Sequence, residues 1–204
     1  MLAGCYGTIL DVGARDRQLA AHLDPSCLSY RSADLFGPHD HLIDLEQPLP
    51  FADRSVDYVV ALDVLEHVEA IHHATMELLR VASLGALLAL PNLASWVHRL
   101  SFAIRGRLAT DKYDLRPEPS ADRHRWLTSY PQMDAFVAHV AREGGFRVAR
   151  VVDEVEGRGA GRLFALALLR AGMPVRPLLT TRTMFLLLRV RDATARSMSE
   201  ACCG

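Results

Sequence analysis

Four aspartates stand where strand-like runs end, and their placement is the first chemical signal in the chain. Asp11 lies near the end of the run Thr8–Val12, Asp34 follows Cys27–Ala33, Asp44 closes His41–Asp44, and Asp63 follows Val56–Leu62. A carboxylate just past a second strand can accept hydrogen bonds from both hydroxyls of a ribose, a common way for such sheets to hold a nucleoside. Aspartate is also a frequent helix cap and turn former, but turn formation alone does not ask for one at each successive strand end. Two histidines add proton chemistry near neutral pH. His67 sits in Leu65–Val68 beyond the fourth run, where a helix-start role competes with a catalytic one. His124 stands beside Trp126 in a stretch without clear periodicity. With Asn92, Trp96, Tyr113 and Trp126 it would make a partly aromatic mouth, suited to a small or amphipathic acceptor rather than to a nucleic-acid backbone.

The elements that must position these groups alternate. Further strand-like runs occur at Gly85–Leu90, Phe146–Val152 and Met184–Val190, and helical patterns at Arg15–Leu23, Ala70–Ala82, Ser95–Arg105 and Gln132–Glu143. Strands separated by helices form βαβ units, so the expected class is α/β, a mostly parallel seven-stranded sheet with helices on both faces. Ligands of such sheets bind outside the carboxyl ends of the strands, where the aspartates fall. A single domain over residues 1–204 is expected. Residues 106–128, carrying Pro117 and Pro119, read as a substrate-side loop or lid insertion.

Composition narrows the function classes. With 204 residues, half of them hydrophobic, the chain can bury one substantial core. A net charge of -1 and the lack of a basic stripe disfavour nucleic acid as partner. Lys112 is the only lysine, a skew toward arginine that coding bias explains as well as ligand chemistry does. Cys5 and Cys27 are isolated and Cys202–Cys203 has no second pair, so neither a disulfide framework nor a zinc knuckle is expected, and a reducing cytoplasm fits. No secretory leader and no membrane-spanning apolar run are visible. Glu66-His67 with His72-His73 does not match His-Glu-x-x-His; a solvated helix face accounts for it, and no metal site is expected. The glycine-rich stretch Glu156–Gly161 lacks the Lys-Ser/Thr ending of a phosphate loop, and no Gly-x-Ser-x-Gly elbow occurs.

Several blocks carry a resemblance. "ILDVGA" at residues 9–14 and "LPFADRSVDYVVALDVLEHV" at 49–68 resemble the first motif and the most recognisable block of class I S-adenosylmethionine-dependent methyltransferases of the type-11 group. "LPNLASWVHRL", "DRHRWLTS" and "GGFRVARV" are similar to the fifth-strand end, a substrate-side segment and the sixth strand of MetW-like and sugar-cluster branches. The resemblance implies a Rossmann-like methyltransferase fold with S-adenosylmethionine as cofactor and S-adenosylhomocysteine as product. Asp11, Gly13 and Ala14 would frame the methionine end, Asp34 with Leu35 the ribose, Asp44 with Leu45 the adenine, and Ala61, Leu62 and Asp63 the methionine side. His124 and His67 are then the candidate catalytic bases.

One departure bears on activity. The group usually carries an acidic residue followed by Gly-x-Gly-x-Gly, whereas here only Gly13 remains and Arg15 and Arg17 take the other two places. A positive φ there costs a non-glycine residue on the order of 1 kcal/mol or more. The dinucleotide fingerprint Gly-x-Gly-x-x-Gly fails at the same turn. Two expectations follow: methyl transfer to a small-molecule, glycan or lipid-precursor acceptor, or a non-catalytic relative kept as a binding or partner protein. Stable membrane insertion is not expected; a homodimer through the apolar Met173–Leu179 is possible, with core packing the ordinary alternative.

Overall fold

The computed structural model describes residues 1, 5–115, 117–118, 122–155, 167, 170 and 175–190. Seven strands form one sheet: β1 (Gly7–Val12), β2 (Leu28–Asp34), β3 (His41–Leu42), β4 (Val56–Leu62), β5 (Ala82–Pro91), β6 (Phe146–Val155) and β7 (Thr180–Arg189). Their order is β3-β2-β1-β4-β5-β7-β6. The first five strands are mutually parallel, and β7 runs antiparallel to both β5 and β6. The chain therefore reverses direction outward from β1, which leaves a crevice at the carboxyl ends of β1 and β4.

The central strands β1 and β4 form where largely apolar runs permit burial on both faces, as in a parallel sheet. Ile9, Leu10, Val59, Val60 and Ala61 are fully buried. One face carries α1 (Ile71–Val81), whose Ile71, Ala74, Leu78 and Leu79 face inward at helical spacing, and α3 (Tyr130–Glu143), which buries Met133, Val137 and Val140. Ser129 and Gln132 form the capping box that starts α3, and Pro131 sits in its first turn. Leu78, Val137, Phe185 and Leu187 belong to the main core between this layer and the sheet.

The opposite face differs from expectation. Where the spacing predicts a helix over Arg15–Leu23, only a 3-10 turn forms, Gln18–His22. Arg17, left-handed at φ 58, precedes it, so helical φ/ψ cannot propagate from the loop. Leu19 and Leu23 still pack on Ile9, Leu28 and Val60. Helix α2 (Trp96–Arg105) buries none of its residues and ends at the left-handed Gly106. The stretch Glu156–Gly161, the apolar run Leu163–Leu169 apart from Ala167, most of the residues before Val175 and Cys202–Cys203 lie outside the described residues. Among those described, no helix is long and apolar enough to cross a membrane, and Cys5 and Cys27 are free thiols.

Candidate functional site

Parallel register carries the expected carboxylates to one edge. Val12 lies beside Ala33 and Ala61, and Asp34 beside Leu42, so Asp11, Asp34, Asp44 and Asp63 share the carboxyl-terminal rim of the sheet. Asp11 is 5% exposed and accepts the Tyr30 hydroxyl at 2.7 Å. Burial pushes its carboxyl above the usual range; the Tyr30 bond opposes the shift. Gly13 is left-handed at φ 71, and a Cβ there would stand 2.6 Å from Val64 Cγ2. Its N–H and that of Ala14 donate to the Ala33 carbonyl at 2.9 and 3.3 Å, which ties the turn to the end of β2.

The loop after Gly13 turns through left-handed backbone at residues that are not glycine. Arg15 at φ 43 and Arg17 at φ 58 occupy the left-handed region, the positive dihedrals that the motif reserves for glycine. Arg15 N–H donates to Asp34 Oδ2 at 2.9 Å, and Leu35 N–H to Oδ1 at 2.7 Å. Two of the roughly four lone-pair positions of Asp34 are engaged, which leaves two for a ribose diol. Leu35 is half exposed. Asp44 caps its own turn through Glu46 N–H at 2.9 Å while Leu45 is buried. Ala61 lies in the sheet interior, partly buried Leu62 ends β4, and Asp63 follows at φ 54. Arg182 holds Asp63 there and reaches Glu154 at 2.7 Å.

Beyond β4 the chain makes a 3-10 turn, Leu65–His67, and the distant segment 122–128 is stitched onto it. Arg125 N–H donates to the Glu66 carbonyl at 2.8 Å, Arg125 Nε to the His67 carbonyl at 3.0 Å, and Trp126 Nε1 to the Val68 carbonyl at 2.8 Å. This brings His124 against His67, ring centroids 4.6 Å apart, with the Tyr113 ring 5.4 Å from His124. Glu66 lies beneath them, 1% exposed, its Oε1 3.9 Å from His124 Nε2. Burial pushes the Glu66 carboxyl up to about 8. It drives His124 down to about 4, helped by His67 and Lys112, and lowers His67, so both imidazoles are neutral near neutral pH. Above them Asp122 bridges Lys112 and Arg15, the latter at 2.9 Å, and approaches His67 Nε2 at 3.7 Å. Asp122 thus ties this segment to the loop after β1.

Sequence reasoning misplaced parts of this site. Asn92 is fully buried and donates to the Pro177 and Thr180 carbonyls while accepting from Ala94 and Tyr130 N–H groups, so it clamps the scaffold and does not line the mouth. The Glu66-His67 pair is not a solvated face: His72 and His73 are exposed, but Glu66 is buried. An open cleft of about 740 Å³ lies between α2 and the loop after it, lined among others by Leu93, His98, Phe102, Tyr113 and Leu127. Tyr113 joins this cleft to the Glu66 cluster. Trp96 and Trp126 stay partly exposed outside its lining.

The strand order and this rim define the class I methyltransferase fold. Residues 3–90 match the model of a methyltransferase domain family, the type-11 group, and the strand order of the whole sheet is that of the class I methyltransferase fold. It is similar to a S-adenosylmethionine-dependent methyltransferase from Archaeoglobus fulgidus at 13% identity, over 91% of this chain and 87% of that one, with a TM-score of 0.56. Magnesium protoporphyrin IX methyltransferase from Synechocystis, solved with S-adenosylhomocysteine bound, is similar at 16% identity over 91% and 75%, TM-score 0.55. A Rhodobacter sphaeroides protein proposed to be a zinc-dependent alcohol dehydrogenase reaches 0.59 at 12% identity, over 93% and 87%. At such identities these likenesses carry the fold alone. No curated protein sequence matches the chain.

Proposed function

We propose that the protein is an S-adenosylmethionine-dependent methyltransferase acting on a small, amphipathic acceptor. The observation that carries this reading is the rim itself: buried Asp11, left-handed Gly13 and Asp34 with open lone pairs stand where the fold binds its cofactor. The cofactor supplies an activated methyl: the acceptor's lone pair forms the new bond to carbon, the S–CH3 pair leaves on sulfur as the thioether, and the acceptor's proton goes to a base. Asp34 and Asp44 hold the nucleoside, and Asp63, fixed by Arg182, borders the methionine side. His124 and His67, both neutral, supply the proton acceptor next to the cleft. Apolar Phe102, Leu93 and Leu127 with nearby Arg99 and Arg107 suit an acceptor with an apolar body and an acidic or polar head. A reducing cytoplasmic setting, consistent with free Cys5 and Cys27, belongs to the same reading.

Calorimetric titration with S-adenosylmethionine and S-adenosylhomocysteine, repeated on Asp34→Ala, tests it. Micromolar binding that weakens at least roughly tenfold in the variant is expected, in line with the loss of a charged hydrogen-bond acceptor. A specific observation favours a second reading: Arg15 and Arg17 fill the glycine positions, and Arg15 pins segment 122–128 down. Absence of heat at millimolar ligand would replace the enzyme by a non-catalytic binding or partner protein.

A further inference from the structure

We infer that Glu66, His67 and His124 form a binding site for a first-row divalent metal ion, zinc in the first instance. One donor atom from each of the three residues lies within 4.8 Å of the other two. Two imidazoles and one carboxylate make the donor set of open zinc and non-haem iron sites, which keep a coordination position for water or substrate. Tetrahedral zinc with bonds of ~2.0–2.1 Å sets its donors ~3.3 Å apart, so the cluster needs to contract by up to ~1.5 Å. The rings stand edge to face, 88° between planes, so rotation of the side chains is the movement that binding would require.

The polar satisfaction of the cluster argues independently for a missing ligand. Glu66 Oε2 and His124 Nδ1 are both buried without a hydrogen-bond partner, in side chains only 2% and 10% exposed. Buried polar atoms almost always find partners, and two orphans in one cluster mark a place where something binds. His67 has the opposite arrangement: its Nδ1 lies 3.0 Å from the Arg123 carbonyl. A ring nitrogen that donates to a backbone carbonyl fixes the tautomer with Nε2 lone pair outward, the usual support behind a metal-binding histidine. Asp122 approaches the same Nε2 at 3.7 Å but is half exposed and shared between Arg15 and Lys112, which leaves it outside the donor set.

The site deepens the methyltransferase reading and rests on it for its use. With an ion bound, His67 and His124 would hold metal in place of serving as the base, and Tyr113, its ring 5.4 Å from His124, would link the ion to the cleft. An acceptor hydroxyl bound there would lose its proton to solvent more readily, because a coordinated oxygen is more acidic. The acceptor class is thereby narrowed to molecules with an oxygen donor, a phenol or enol foremost.

The test uses the full chain stripped with chelator and titrated with Co2+ and then Zn2+, with neither cofactor nor acceptor present. About one Co2+ per chain, a visible ligand-field band and displacement by Zn2+ are expected. Glu66→Gln keeps the shape of the side chain, so it should fold, and together with His124→Asn it should weaken binding by roughly tenfold or more. Circular dichroism checks that both variants are folded. His72→Asn, on the exposed face of α1, should leave binding unchanged. Metal binding that survives Glu66→Gln and His124→Asn, depends on His72, or is absent at millimolar Co2+ overturns the proposal. Should either variant fail to fold, His67→Gln, at the more exposed end of the cluster, takes its place: the same loss of Co2+ binding is expected, and undiminished binding overturns the proposal. Binding of Co2+ without S-adenosylmethionine binding sinks the methyltransferase reading alone; the converse sinks the metal site alone.

Discussion

Two carboxylates flank β4, and the protein treats them in opposite ways. At the amino-terminal end, Asp57 Oδ2 accepts the Thr8 N–H and hydroxyl at 2.8 and 3.0 Å, and Oδ1 accepts the Ser83 hydroxyl at 3.0 Å. The Thr8 N–H above all holds this carboxyl below the usual carboxylate range. Beyond the other end, Glu66 is more deeply buried, yet one of its oxygens has no partner and burial pushes its carboxyl up. The same strand thus joins a satisfied edge to an unsatisfied one. Hydrogen bonds closed within the protein hold strands together, whereas a buried oxygen of Glu66 beyond the carboxyl edge is left without a partner inside the protein.

The comparison is broken most severely at Gly13. Gly13→Ala forces a left-handed alanine and a Cβ at 2.6 Å from Val64. The backbone alone costs about 1–3 kcal/mol. The loop must shift to relieve the contact, so S-adenosylmethionine binding should fall below calorimetric detection while urea melts show a folded, weakened protein. Unimpaired binding would mean that this turn does not touch the cofactor and that the open edge serves another ligand.

At the closed edge the expected effect is on stability alone. Asp57→Ala strands the Thr8 N–H and leaves two hydroxyls to find water, costing about 1–3 kcal/mol, with cofactor affinity unchanged. The pH dependence has a definite sign. A carboxyl whose folded value is depressed contributes stability that is fully present above its ordinary range and disappears as pH falls through the depressed value. Wild type and Asp57→Ala should therefore converge in urea-unfolding stability as the solution is acidified. A gap that stays constant into strong acid would show that Asp57 acts by packing and not by charge.

The strand frame was legible from sequence and the open edge only in part. Runs such as Val56–Leu62 read directly as strands, because a parallel sheet buries both faces and asks for largely apolar residues. The aspartates were legible as strand ends for the same reason. Arg15–Leu23 misled because its helical spacing is real, but Arg17 is held left-handed and the connection returns to β2 after a single 3-10 turn. Asn92 looked like a rim residue, yet its partners Pro177 and Thr180 come from the far end of the chain. Glu66 was hidden for a related reason: local spacing compares it with His72 and His73, while the residue that meets it, His124, arrives from an aperiodic segment. Long-range closure of that kind leaves no period to read. The available local signal was Glu66 with His67 set between the apolar Leu65 and Val68.

The finest test of the open edge lies in the two arginines where the family places glycine. Left-handed φ costs an L-residue about 1–2 kcal/mol, and glycine returns roughly 0.5–1 kcal/mol of that as lost unfolded-state freedom. Arg15→Gly should therefore stabilise the fold by a net of about 0.5 kcal/mol, since its ion pair with Asp122 is exposed on both sides and worth little. Because the Arg15 N–H to Asp34 survives the substitution, cofactor binding should hold or tighten as side-chain bulk leaves the loop. If affinity falls instead while stability rises as expected, the guanidinium is part of the binding mechanism: it draws Asp122 and its segment down over the cofactor. The loop would then have exchanged glycine's freedom for a side chain that closes the site, and strain at φ 43 would be the cost of that closure.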